Sequence, residues 1–326
     1  DPNLFNDWAG WSYAYCLIKL NRYIDALQIC RTLYPRFKNS EIISTIYGQS
    51  VYQTQFNIAN PPSIEILRKA LKAMFQLSPP HHPYSFTPKA TFKFIKTLLS
   101  QQQIKWDEIN EWLLKIDPDL LDDRPYKWTN SKGKTIDLAS SKEEWYSHMI
   151  RAKAGLNKPQ ELLDYLATAR KLQIKWHYNN DIWFARKEAF AHLQLGDKKT
   201  AEQILRKICF QRKDWFLLFD LSLVTDSQNE KQKLMCRAAL LTGKIEHKLK
   251  LFQALYDELK SINLKIAILH LELVASIRKE NNWPIPIEIQ NQLKEKEITL
   301  HTVKPSNILI SQLKTFWKKV ASKEPH

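Results

Sequence analysis

An all-α chain of antiparallel helix hairpins, stacked as an α-solenoid, is the architecture that three features of this sequence predict. Six glycines occur in 326 residues, far below the usual level of about 7%. That leaves little material for the tight turns of a sandwich, a barrel or a nucleotide-binding α/β fold. Apolar residues recur three and four positions apart in one segment after another, as a helix face requires. Trp145, Trp183 and Trp215 open successive segment pairs at intervals of 38 and 32 residues, the period of stacked helical hairpins. A content of 11 Trp, 12 Tyr and 14 Phe with 44% hydrophobic residues excludes a disordered chain.

Residues 8–35 form the first expected pair. Trp11, Ala14, Tyr15 and Leu17 share a helical period, Asn21 and Tyr23 mark a break, and Ala26, Leu27, Cys30 and Leu33 resume it before Pro35. Residues 41–56 and 63–80 make a second pair, with Ser63 as N-cap and Pro79 and Pro80 as the stop. A third joins 87–101, with Pro88 in the first turn, to 106–118. Residues 119–140 are polar and are expected to be a connecting loop, the main discontinuity of the chain.

Helix resumes at 141, where Ser141 and Glu144 have the spacing of a capping box, and returns over 159–172 after Pro159. Residues 181–210 form the next pair, followed by two more over 215–241 and 248–279. Beyond 281–293 the pattern thins, with a terminal helix over 310–320. The expected organisation is therefore N-terminal helical repeats over 1–118, the loop 119–140, further repeats over 141–293 and a C-terminal tail over 294–326.

The stretch LQLGDKKTAEQIL at 193–205 sets a glycine before lysines and a threonine. A phosphate-gripping Walker loop needs a strand before it and a first glycine five positions ahead of the second. Gly196 follows a helical period and is followed by Asp197, while SKGKT at 131–135 has Trp128 where the first glycine belongs. A bend between two helices fits better, with Gly196 supplying unusual backbone angles and Ala189 and Ala201 allowing close approach.

These residues resemble the tetratricopeptide repeats (TPR), whose pattern has small residues at the helix crossing, Leu-Gly at the turn and a later Ala. Ala189, Leu195, Gly196, Ala201, Leu205 and Ile208 match it, and Ala14, Leu20, Tyr23, Ala26 and Cys30 match more loosely, with Asn21 in place of the turn glycine. The resemblance implies a TPR-like solenoid whose first helices line a concave, partner-binding groove. Residues 139–286 are also similar to the helical region of bacterial multidomain proteins that can carry a cold-shock-type nucleic-acid domain.

In the repeat register, Trp8, Trp11, Tyr15, Lys19, Arg151, Trp183, Arg186 and Phe190 are expected to face the groove. The favoured function is a non-catalytic scaffold in which aromatic rings give apolar contact and basic groups select an acidic protein partner. The formal charge of +15 supports a second reading, an RNA- or single-stranded-DNA-binding module. Its candidate contacts are Lys153, Arg170, Lys171, Lys175, Lys187, Lys198, Lys199, Arg206, Lys207 and Arg212, interleaved with aromatics. A third arises because Arg170 and His177 are spaced roughly as in HEPN ribonucleases, although Lys171 replaces the usual polar residue after the arginine.

No G-x-S-x-G elbow, H-E-x-x-H pair or Rossmann fingerprint occurs. Adjacent His81 and His82 cannot ligate from one helix face, and DPDLLDDRP at 117–125 lacks the glycine and glutamate of a calcium loop. No cofactor or metal is expected. Cys16, Cys30, Cys209 and Cys236 form no CxxC pair and read as buried thiols of a reducing compartment. Without an apolar run of about 18–20 residues or a leader after Asp1, a cytoplasmic protein without a membrane span is expected, and the missing initiator Met points to trimming or a fragment.

Overall fold

A computed structural model describes residues 5–82, 84–131 and 133–322. Among them the fold is all-α, sixteen α-helices with one two-stranded hairpin. The chain divides into two compact units, Asp1–Asp181 and Ile182–His326.

In the first unit, α1 (Asp7–Lys19), α2 (Tyr23–Leu33) and α3 (Glu41–Val51) pack mutually around Ala14, Leu17, Ile18, Ala26, Cys30 and Ile46. Asn6 caps α1 by accepting from the Ala9 amide at 2.7 Å. After a π-helical turn at Tyr52–Phe56 follow α4 (Ile64–Leu77), α5 (Thr87–Ser100), α6 (Trp106–Leu114), α7 (Ser141–Gly155) and α8 (Pro159–Lys171). They enclose a second core that includes Leu71, Phe92, Phe94, Leu113, Trp145 and Met149.

Here the pairing differs from the expected one. Helix α5 packs mainly on α4, and α6 packs mainly on α7. The Trp145 indole donates to the Leu113 carbonyl at 3.0 Å, and the Trp106 ring lies where a Cβ on Gly155 would stand, 2.3 Å from it. The helical packing thus bridges residues 119–140, which lie inside the first unit. That segment is a short 3-10 turn (Pro118–Leu120) and a hairpin of β1 (Tyr126–Thr129) and β2 (Thr135–Leu138), in the antiparallel register Tyr126↔Leu138 to Thr129↔Thr135. Its polarity reflects an exposed hairpin, and the division between units comes later, after Asp181.

The cap of α7 also shifts by one residue. Ser140 is the N-cap and accepts from the Glu143 amide at 3.1 Å, while the Ser141 hydroxyl bonds Tyr126 Oη at 2.6 Å. The hairpin recruits Ser141, so the preceding serine takes the helix end.

The second unit comprises α9 (Asn180–Gln194, which opens at the division), α10 (Lys198–Gln211), α11 (Trp215–Val224), α12 (Gln228–Leu240), α13 (Leu249–Leu259), α14 (Leu264–Glu280), α15 (Ile287–Lys294) and α16 (Ser306–Ala321). Ala189 and Ala201 are fully buried in one cluster with Leu205, Ile208 and Leu217, the close crossing expected of the bend. Gly196 sits there at φ +86°, and Asp197 caps α10 by accepting from the Thr200 amide at 3.0 Å. Residues 294–326, expected as a tail with a terminal helix, include α16, and its Leu309, Leu313, Trp317 and Val320 are buried against α12 and α14.

Lys248 is buried and donates to the carbonyls of Ala238, Ala239 and Leu241 at the C-terminal end of α12. Burial pushes its ammonium down to about 8, while the three carbonyls and the helix dipole favour the charge. Two cysteines depart from the buried-thiol expectation: Cys30 and Cys236 are buried, but Cys16 is exposed and Cys209 half-buried. Cys16 lies on α1 outside the face carrying Ala14, Leu17 and Ile18, a distinction that a helical pattern alone blurs.

Candidate interaction surfaces

On α1 the residues at i, i+3, i+7 and i+11 come together as a ladder beside the buried face. Trp8 stacks on Trp11 with centroids 5.1 Å apart and planes 21° apart, and Trp11 stacks on Tyr15 at 5.1 Å and 9°. Lys19 Nζ ends the row 5.1 Å from the Tyr15 centroid. Trp11 and Tyr15 rest partly on the core, whereas Trp8 is 61% exposed. Rings that already hold one another lose little rotamer freedom when a partner arrives.

Arg151, expected in the groove, is instead half-buried in the first unit and donates from Nη2 to Asn180 Oδ1 at 3.0 Å; burial lowers its pKa. In the second unit Trp183, Arg186 and Phe190 do meet, together with two residues that sequence reasoning missed. The Arg186 guanidinium lies 6.0, 5.5 and 5.4 Å from the centroids of Trp183, Phe190 and Phe216. It pairs through Nε and Nη2 with buried Asp220, the latter contact at 3.0 Å. Desolvation raises the Asp220 pKa against the pull of Arg186. The arginine therefore fills its own aromatic box with its charge neutralised, leaving the Trp183 ring, 40% exposed and stacked on Phe216 at 5.1 Å, as the accessible part.

Most of the alternative basic contacts are also engaged. Lys153 is buried and pairs with Glu161 at 2.6 Å, Arg206 pairs with Glu202 and Glu230 at 2.6 and 2.8 Å, Arg212 with Asp214 at 2.9 Å, and Lys198 with Asp226. Arg170 and Lys187 have partners of their own. Among the described residues Lys171, Lys175, Lys199 and Lys207 are exposed without an ion pair, the first two in the first unit on α8 and after it, the other two on α10 of the second.

The ribonuclease pair resolves differently. Arg170 lies on the last turn of α8, but His177 is clamped by buried Glu143, which accepts from its backbone amide and contacts its Nδ1, both at 2.6 Å. The remaining ring nitrogen, Nε2, is buried without a hydrogen-bond partner, so it is not presented to a phosphate in solvent. Glu143 at the third position of α7 thereby pins the segment after α8, a contact between residues 34 apart that no local pattern signals.

An open cleft of about 530 Å³ is lined by Ile104, Lys105, Trp106, Asp107, Glu108, Glu111, Gly155 and Leu156. Its Glu108 is held by Arg68, with Nε to Oε1 at 2.5 Å, which keeps the carboxyl below its ordinary range. Among the described residues no group of three or more His, Cys, Asp or Glu side chains could hold a metal ion, and no helix is long and apolar enough to cross a membrane.

The model of one family, described as a domain of unknown function (DUF7017), matches residues 182–315. The match begins where the second unit begins and covers under half of the chain. No curated protein sequence matches. Among solved structures the chain is similar to one described as the crystal structure of APC/C hetero-tetramer Cut9-Hcn1, at 13% identity and a TM-score of 0.43. That likeness covers 94% of this chain and 54% of the other, so the chain spans about half the length of the protein it matches.

Proposed function

We propose that this chain is a TPR-like, non-catalytic scaffold that binds a protein partner through the α1 ladder. The observation that carries the reading is the stacked series Trp8, Trp11 and Tyr15 closed by Lys19. Tryptophan and tyrosine dominate binding energy at protein interfaces because they bury large area at little entropic cost. Lys19 has no ion pair among the described residues, so the partner we infer offers an apolar anchor beside a carboxylate. Arg186 is not part of this contact, since Asp220 already satisfies it.

The test is capture from host lysate with and without nuclease, comparing the unaltered chain with Trp8→Ala and Lys19→Glu, each verified as helical by circular dichroism. A protein band that survives nuclease and weakens in both variants is expected, by about 2 kcal/mol for Trp8→Ala. Capture that vanishes with nuclease, or that Trp8→Ala leaves intact, defeats the reading.

A further inference from the structure

The β1–β2 hairpin sets an exposed aromatic ring beside positive charge that has no ion pair among the described residues. Side chains alternate across a strand, so Tyr126 and Trp128 share one face with Ile136 and Leu138, and Lys134 continues that face toward the turn. Lys127, Thr129, Thr135 and Asp137 take the other. The base of the hairpin is tied down, Tyr126 to Ser141 at 2.6 Å, with Lys89 Nζ 5.2 Å from the Tyr126 centroid. Farther out, Trp128 stays 51% exposed and Ile136, directly opposite it, 39% exposed.

An isolated two-stranded hairpin is at best marginally stable in water, and the outer half of its apolar face, Trp128 and Ile136, remains partly exposed. Lys89, Lys127 and Lys134 are exposed and carry no ion pair among the described residues. Asp137 is the single acid from Tyr126 to Leu138.

We propose that this hairpin contacts single-stranded nucleic acid, with an unpaired base stacked on Trp128 and neighbouring phosphates held by Lys134 and Lys89. Ile136 stands opposite Trp128 in the register and the indole is about half exposed, as a stacking platform requires. The surplus charge complements a phosphate backbone. In a single strand a flat base accompanies every phosphate, so ring and charge are met together. The proposal does not depend on the α1 ladder.

Fluorescence anisotropy of the full chain with labelled oligo(U), oligo(dT) and a mixed-sequence duplex, at two salt concentrations, tests it. Binding to the single strands is expected to weaken about tenfold or more in Trp128→Ala and to be largely retained in Trp128→Phe, which keeps a stacking ring. Lys134→Ala is expected to reduce the salt slope by about 0.7, the share of one phosphate contact on a single strand. No binding at low salt, equal affinity for the duplex, an unaffected Trp128→Ala, or preference for polyglutamate over the oligonucleotides overturns it, the last pointing to an acidic protein.

Discussion

His270 is fully buried on α14, and its two ring nitrogens have opposite duties. Nε2 accepts from the Trp317 indole at 2.9 Å, so Nδ1 carries the proton that it gives to the Ile266 carbonyl at 2.8 Å. The ring is therefore neutral in the fold, and burial pushes its pKa from 6.5 down to about 4. Unfolding takes up a proton in this range, so the associated stability is fully present above about pH 6.5 and is lost as pH falls toward 4. Its size is on the order of 3 kcal/mol. Buried His148, pushed down to about 3, adds to the same slope. Urea unfolding between pH 7 and 4 should show a shallower decline for His270→Gln than for the unaltered chain. Identical slopes would remove His270 from the account.

Helix ends explain how so long a helical chain manages with six glycines. After α1, α5, α7, α8 and α14 the chain turns left-handed at Asn21, Gln102, Asn157, Gln173 and Asn282, with φ between 54° and 59°. Each closes the paired backbone bonds of a Schellman motif, as when Arg22 N donates to Leu17 O at 2.8 Å and Asn21 N to Ile18 O at 3.0 Å. Gly196 has the same role after α9, with Asp197 N on His192 O at 2.8 Å. Asparagine tolerates this region better than glutamine. Gln102→Gly and Gln173→Gly should therefore each stabilise by about 0.5–1 kcal/mol, and Asn21→Gly by only a few tenths. Gly196→Ala should cost about 1 kcal/mol, because no atom stands within 4 Å of the added Cβ and the penalty is conformational alone. Chemical denaturation of the four variants gives the ranking. The Gly196 turn was legible because a glycine marks it, and its sister turns were less so because their residues also occur inside helices.

At the largest scale, the charge of +15 coexists with many local ion pairs. In the second unit it is threaded with ion pairs, within a helix as for Arg206 to Glu202 and between helices as for Arg206 to Glu230 and Lys231 to Glu258. The same unit depends on its last helix. Glu280 accepts from the Ser306 amide at 2.7 Å and from its hydroxyl at 2.6 Å, and Trp317 stacks on Phe252 at 5.8 Å. Ending the chain before Ser306 would expose the sites of Leu309, Leu313, Trp317 and Val320. At about 1.5–3 kcal/mol for each large apolar side chain, the loss should reach about 5 kcal/mol or more, comparable with the stability of a whole domain. Thermal melting and near-ultraviolet circular dichroism of the truncated chain should show a broadened transition and weakened aromatic signal. A melt unchanged from the full chain would mean that α16 is dispensable.

Sequence alone was sufficient for what is decided within a few residues: the helical content, most helix ends, the bend at Gly196 and the aromatic spacing that makes the α1 ladder. Helical period and caps act over three or four positions, and composition reports them directly. Long-range packing chose the rest. It set α6 on α7 and closed Arg186 onto Asp220 and Glu143 onto His177. Those outcomes depend on which buried surfaces and charges meet across some thirty residues of chain, and such meetings leave no periodic trace in the sequence.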